Sequence, residues 1–434
     1  MLSFEPSIIF IDDKIEQVDG IINLYRNEGV GVKFFNADLI DGDNRPVSTF
    51  SNVNLIYLDL YYKDDFDIEL CLSWIDSIVP KNSFYVLVIW SKDPHHKEEI
   101  IQGLSDINQL PFITFLEAKN DDYKNDDNTF KWSELKSKID SEIENISEFK
   151  ELSIWKKSVQ NASNIIIGNL SKNTTQAQLK TKLQKIIIGH GGKSLLGIDN
   201  NEFKRETLFD ALDSVLISNT KGSMPSSEIS ETNVQNLYNI PHTIQGDIDT
   251  KLNSWFHFKL HKEPLDQEII KPGIICNYKD DSLRGLYALL KDDNIEEYLK
   301  DQITKSEEAD STTVLIDIVL LISRPCDIAQ NKYGRNLKLI SGVLIKNPVR
   351  KGGQKRPFKT GNKYDSIKLY DHISFNDTDN DTALIFDFRY VFSIPKASFI
   401  ANFENIKVFN KELLSEVQVE YSSYSNRLGI TQII

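Results

Sequence analysis

Sulfur is scarce in this chain: its 434 residues include three cysteines, Cys71, Cys276 and Cys326, and two methionines. An odd number of widely spaced cysteines, with no CxxC pair, indicates neither a disulfide framework nor a cysteine zinc site and predicts thiols that stay reduced. Long apolar runs are lacking too. Nothing approaches 18 consecutive apolar residues, and Met1 is followed by Glu5 instead of a basic and then an apolar segment, so neither a membrane span nor a signal peptide is predicted. The expected compartment is the cytoplasm. Positive charge is in deficit, with 50 Lys and Arg against 64 Asp and Glu, a formal charge of −14. That balance opposes whole-surface binding to nucleic acid or to anionic lipid, since both favour clustered Lys and Arg. A local basic patch stays open.

What is present describes a globular protein of more than one domain. Hydrophobic residues make up 40% and charged residues 26%, and the length suits two or three cores. The expected layout is a first domain over residues 1–130, a helical connector over 131–230 and an α+β or mainly β module over 231–434.

Residues 7–13, "SIIFIDD", are an apolar run that ends in Asp12 and Asp13. Its isoleucines predict a buried strand, followed by the helix-like "KIEQVDGIINLYRNEG". Further apolar strands are expected at "VGVKFF", "LIYLDLYY" (55–62), "FYVLVIW" (84–90) and "PFITFL" (111–116), with helices at "IELCLSWIDSIV" and "HKEEIIQGLSDI" and a polar insertion before Val53. Five short strands alternating with helices predict a doubly wound parallel sheet, covered on both faces, with right-handed crossovers.

Ligands of such sheets sit beyond the carboxyl ends of the strands. The polar residues there are Asp12 and Asp13 after strand one, Asp59 after strand three, Ser91 and Lys92 after strand four and Lys119 after strand five. Three carboxylates meeting at one edge repel one another, and a hard divalent cation such as magnesium is the ordinary way to keep them ionised together. A hydroxyl and an ammonium add donors for phosphate oxygens, and an aspartate can itself be the nucleophile.

On these residues, positions 7 to about 125 resemble a response-regulator receiver domain of two-component signalling. The resemblance implies a flavodoxin-like fold, magnesium on Asp12 and Asp13 beside Asp59, a phosphoryl group accepted by Asp59 from a partner histidine kinase, Ser91 as the strand-four hydroxyl, Lys119 on the phosphoryl group, and a downstream effector. The chain departs from the family in four places, one being that the aromatic switch position of strand five falls nearer Leu116 or Phe115. Bulky Tyr61 and Tyr62 follow Asp59, Lys92 stands where a small residue is usual and can crowd the site or take over from Lys119, and Asn120 replaces the usual proline. The other reading is a pseudo-receiver that acts as a phosphorylation-independent docking module. A divergent receiver joined to such a C-terminal region is also similar to components of bacterial two-component anti-phage systems.

Beyond the receiver-like region, apolar spacing from Phe130 to about 167 predicts one long amphipathic helix, suited to an interface with the next domain or to a homodimer seam at 131–167. More helix is expected over roughly 174–218. The "GHGGKSLLG" glycines do not fit the spacing of a phosphate loop. A linker is expected at 218–233, then strands at 312–323, 337–346 and 382–394. No helix-turn-helix pattern is visible, which argues against an ordinary DNA-binding output domain. Three further features are weighed: Cys326 beside Asp327, without a neighbouring base; His257 and His261, half of a metal site without a third ligand; and the basic run "RKGGQKRPFKTGNK" at 350–363, a phosphate or acidic-partner clamp or a solvated loop.

Overall fold

The computed structural model describes residues 5–38, 45–63, 65–93, 95–119, 123–125, 129–197, 201–223, 229, 231–241, 247–259, 265, 267, 270–279, 281–304, 312–324, 328, 336–359, 365–375 and 381–426. Two compact units emerge: Met1–Lys157 with Pro225–Asn239, and Ser158–Met224 with Ile240–Ile434.

The first unit is built on a parallel five-stranded sheet. Its strands are β1 (Ile8–Asp12), β2 (Val32–Asn36), β3 (Leu55–Leu58), β6 (Val86–Ser91) and β7 (Ile113–Ala118), and β4 (Tyr61–Tyr62) and β5 (Asp65–Phe66) form a small separate hairpin. The order β2-β1-β3-β6-β7 is that of flavodoxin-like sheets, once the hairpin is set aside. Helices α1 (Asp19–Asn27), α2 (Ile68–Ile78), α3 (Lys97–Asp106) and α4 (Trp132–Glu144) cover it.

Every residue of β1 is buried because alternate side chains feed two cores. Ile9 and Ile11 pack with Trp74 and Ile75 of α2 and Ile100 and Leu104 of α3. Ile8 and Phe10 pack with Ile21 and Ile22 of α1 and Leu135 and Ile139 of α4. Each such side chain contributes about 1.5–3 kcal/mol on burial. α2 is started by Asp67, whose carboxylate accepts from Leu70 N at 3.1 Å, and it stops at Ile78, just ahead of Val79, whose successor Pro80 disfavours the helical conformation there. Helix α1 approaches α4 closely at Gly20, where an added Cβ would lie 2.1 Å from Trp132 Cδ1.

The long helix expected over 130–167 is two helices. α4 ends at Glu144, and α5 (Ser147–Ser171) starts three residues later. Asn145 and Ser147 at the break have short polar side chains that compete for backbone hydrogen bonds and weaken helix continuation.

In the second unit, the end of α5 is followed by α6 (Gln176–Gly191) and α7 (Asn201–Thr220). The glycine-rich stretch closes α6: Gly192, with φ +86°, is its C-cap and donates to Ile188 O at 2.9 Å. Beyond α8 (Thr250–His257) lie strands β8 (Ile274–Tyr278), β9 (Val314–Leu321), β10 (Asn336–Lys346), β11 (Ile367–Ile373), β12 (Thr382–Pro395) and β13 (Phe403–Val408), with helices α9 (Asp281–Tyr287), α10 (Asp293–Gln302), α11 (Lys396–Asn402) and α12 (Lys411–Ser425). The strands form one antiparallel sheet in the order β11-β12-β10-β9-β8-β13. One face, with Ile318, Leu320, Leu384 and Phe386, packs with Leu414 and Val417 of α12. The opposite face is covered by α10 through Ile295, Tyr298 and Leu299, and by α11 through Phe399. The molecule is thus mixed α/β: a doubly wound parallel sheet, a helical region and an α+β module. Among the described residues no helix is long and apolar enough to cross a membrane.

Candidate functional site

Two strands, β1 and β3, deliver acids to one rim of the parallel sheet, and β6 and β7 add a hydroxyl and an ammonium. Asp12 is the last residue of β1 and Asp13 follows it; Asp59 follows β3; Ser91 ends β6; Lys119 comes one residue after β7. Parallel pairing holds these ends level, with Asp59 N donating to Ile11 O and Lys119 N to Ser91 O, each at 2.9 Å.

The centre of the site is the Lys119 ammonium. Its Nζ lies 2.8 Å from Asp12 Oδ2, 2.7 Å from Asp59 Oδ2 and 2.9 Å from Gln17 Oε1, so its three protons have three acceptors. Asp12, Asp59 and Lys119 are all nearly sealed from solvent, at 1%, 3% and 8% exposure. The other carboxylate oxygens are held by backbone: Asp12 Oδ1 by Lys14 N at 2.9 Å, and Asp59 Oδ1 by Leu60 N at 2.8 Å and Tyr61 N at 3.3 Å. Asp13 accepts from Lys63 N at 3.0 Å, where Lys63 takes a left-handed φ of +54° in the turn between β4 and β5. The hairpin after Asp59 is therefore tied to the tip of β1. Ser91 Oγ is buried and has no hydrogen-bond partner among the described residues. Lys92 is exposed, and the ammonium against the acids is that of Lys119.

Three acids face the buried Lys119 and, at 3.8 Å from Asp13 Oδ2, the more exposed Lys14 Nζ, which leaves an excess of negative charge at the rim. Burial raises the Asp12 carboxyl above its ordinary range and the Asp59 charge adds to the rise, against the attraction of Lys119. A divalent cation would relieve that excess. One potential ligand atom from each of Asp12, Asp13 and Asp59 lies within 4.8 Å of the others. Oxygens sharing one magnesium stand roughly 3–4 Å apart, so the donor set fits a hard cation after a small contraction. Such an ion would share the carboxylates with Lys119.

Sequence reasoning named Asp12, Asp13, Asp59, Ser91, Lys119 and Lys92; the structure brings the first five to one rim and leaves Lys92 exposed. It did not name Gln17 or the Lys63 backbone. Gln17 sits in a single 3-10 turn after β1, and no periodicity marks a lone carboxamide there. A second constellation, in the other unit, also went unnoticed. Asp371, His372 and Asp381 converge, but the Arg350 guanidinium already spans both carboxylates, at 2.6 Å from Asp371 Oδ1 and 3.0 Å from Asp381 Oδ2, with its side chain 1% exposed. The first member of the basic run is thus a buried structural clamp. His257 places Nδ1 against Asn253 O at 2.5 Å. His261, Cys326, Asp327 and residues 360–363 of the basic run lie outside the described residues.

No protein-family model matches the sequence, and no curated protein matches it. Among solved structures, the chain is similar to the adenylate cyclase from Rhodopirellula baltica, with 14% identity over 31% of this chain and 84% of that one, at a TM-score of 0.20. At that score the likeness says nothing of activity.

Proposed function

We propose that the first unit is a receiver-like phosphoacceptor, in which Asp59 takes a phosphoryl group from a phosphohistidine on a partner kinase. The observation that supports this reading is the meeting of Asp12, Asp13, Asp59 and Lys119 at one strand-end rim, with Lys119 touching Asp12 and Asp59. The chemistry asks little else of a protein, because phosphoryl transfer runs mainly on positioning and on charge neutralisation. Magnesium, held by Asp12, Asp13 and Asp59, would neutralise charge on the transferring group when bound.

The residues of this chain divide the remaining work. Backbone N–H groups of Leu60 and Tyr61 fix Asp59 Oδ1, leaving Oδ2 as the oxygen that attacks phosphorus. The new O–P bond forms as the P–N bond breaks, and the bonding pair stays on the departing imidazole nitrogen. Lys119 then turns from neutralising the Asp59 carboxylate to pairing with the phosphoryl oxygens, and Gln17 keeps its ammonium in place. The buried Ser91 hydroxyl supplies a neutral donor for the same oxygens. Mass spectrometry after incubation with acetyl phosphate and magnesium tests the proposal. The expected result is a gain of one phosphoryl group, lost in Asp59→Asn; no gain with any small phosphodonor or histidine-kinase partner would remove the phosphoacceptor.

One observation favours a second reading. Lys119 already satisfies all its donors on Asp12, Asp59 and Gln17, so the rim is held together without phosphorus, as a docking module requires. Under that reading Asp59→Asn leaves partner binding unchanged.

A further inference from the structure

Helix α8 wears its polar side inward. At about 100° per residue, Asn253, Ser254 and His257 share an arc of roughly 100°, and all three meet β11 or the residue after it. Asn253 Nδ2 donates to His372 O at 2.8 Å and Ser254 Oγ to Ser374 O at 2.7 Å. The His257 ring stands edge-on to Tyr370, with centroids 5.6 Å apart. Leu252, Trp255 and Phe256 share a second arc of roughly 100° on the other side of the helix. They are 45%, 69% and 70% exposed, and Ile248, just before the helix, is 38% exposed. An ordinary surface helix does the reverse, burying its apolar stripe and wetting its polar one. Single exposed apolar residues are common, but neighbours on one helix face that include two aromatics mark a contact surface.

The ends of the helix select the partner. Asp249 is the N-cap, accepting from Leu252 N at 2.9 Å, and Lys259 lies two residues past the C-terminus. Asp247 is paired with Lys355 at 2.5 Å, and Lys251 borders the apolar arc. The segment therefore runs from an acid through an apolar centre to a base. Two such segments laid antiparallel, about a two-fold axis at the level of residue 254, set Leu252 opposite Phe256. The same axis sets Asp249 of each copy opposite Lys259 of the other, whereas a parallel pair would set like charges together. A two-fold seam also uses every side chain twice. A bilayer fits less well, because even a whole acyl chain holds one only marginally and this helix has eight residues.

We propose that the outer face of α8 is the seam of an antiparallel homodimer, distinct from the stretch 131–167. Side chains of this size at these exposures offer about 400 Å² per copy, or about 800 Å² in all. Standard interfaces bury about 1,200–2,000 Å², so the dimer is weak and exchanges with monomer at micromolar concentration.

Sedimentation equilibrium of the full chain from about 1 to about 100 µM tests this. The expected mass rises with concentration from that of one 49.8 kDa chain toward that of two. A Trp255→Gln, Phe256→Gln double variant, with unchanged circular dichroism and melting, is expected to weaken association at least tenfold. Leu286→Gln, at a residue 73% exposed on α9, should leave it unchanged. Lys259→Glu should weaken it, and Asp249→Ser, which keeps a capping oxygen, should restore part of that loss. Monomer mass at every concentration overturns the proposal, whether or not the chain then sediments with phosphatidylcholine vesicles. So does a dimer that the double variant leaves intact. A dimer indifferent to Lys259→Glu would overturn the antiparallel register.

Discussion

Lys119 reaches across an intervening strand to Asp59. β3 and β7 are separated in the sheet by β6, yet Lys119 Nζ and Asp59 Oδ2 meet at 2.7 Å above the end of β6, where Ser91 lies. One ammonium thereby neutralises acids from two strands that are not its neighbours. The rim is a single electrostatic unit.

Removing that ammonium should leave Asp12 and Asp59 facing each other in a buried place. Lys119→Met is expected to destabilise the first unit by about 3–5 kcal/mol in EDTA, the usual cost of breaking a buried ion pair from one side. Magnesium should restore part of the loss. Denaturant titration with and without the ion measures both effects, and a variant as stable as the parent in EDTA would contradict this account of the rim.

The pH dependence of magnesium binding follows from Asp12. Its folded pKa is raised from 3.8 to about 7, by burial first and by the Asp59 charge as well. A carboxyl raised on folding contributes stability below its unfolded pKa, and that contribution is lost as pH rises through the folded value. The same proton competes with the cation. Thermal stabilisation by magnesium should therefore be small near about pH 5.5, grow through about pH 7 and level off above about pH 8. A response flat across that window would exclude Asp12 as a ligand.

Two thiols should be silent in the folded protein. Cys71 and Cys276 are both fully buried; burial pushes the Cys71 thiol up to about 12 and raises that of Cys276 well above its ordinary value. The thiolate is the reactive form. Iodoacetamide at about pH 8 is expected to leave both unmodified until urea is added, as peptide mapping by mass spectrometry would show. Rapid native alkylation of either would mean that its core opens readily.

The second unit depends on its own buried cation. Arg350→Met strips Asp371 and Asp381 of their shared partner and removes the guanidinium stacked over Phe358 at 4.4 Å. A loss of about 3–5 kcal/mol is expected. Asp371→Asn with Asp381→Asn in the Arg350→Met background should recover part of it, because the uncompensated charges go with the carboxylates. A charge-independent role for Arg350 would show no such recovery in urea titration.

Much of the first unit was legible because β1, β3 and β6 are buried on both faces, and a continuous apolar run ending in acids is a strong local signal. The second unit was harder to read. β9, β10 and β12 are long and apolar, while β8, β11 and β13 have five, seven and six residues and polar interruptions such as Asn277, Asp371 and Lys407. Their pairing comes from neighbours distant in the chain: β8 pairs with β13, which begins 125 residues later. The break at Asn145 was hidden for a related reason, since the apolar spacing runs on through it.

The residue order alone determined the alternation of strand and helix, the two-sided burial of β1 and the placing of each acid at a strand end, because periodicity and capping are local properties of the chain. Strand order, the acceptors claimed by Lys119, the addition of Gln17 to them, and the conversion of Arg350 from a member of a basic run into a buried clamp all came from three-dimensional packing. Each depends on contacts between segments far apart in sequence, and the desolvation that makes one charge need a particular partner arises only when those segments close over it.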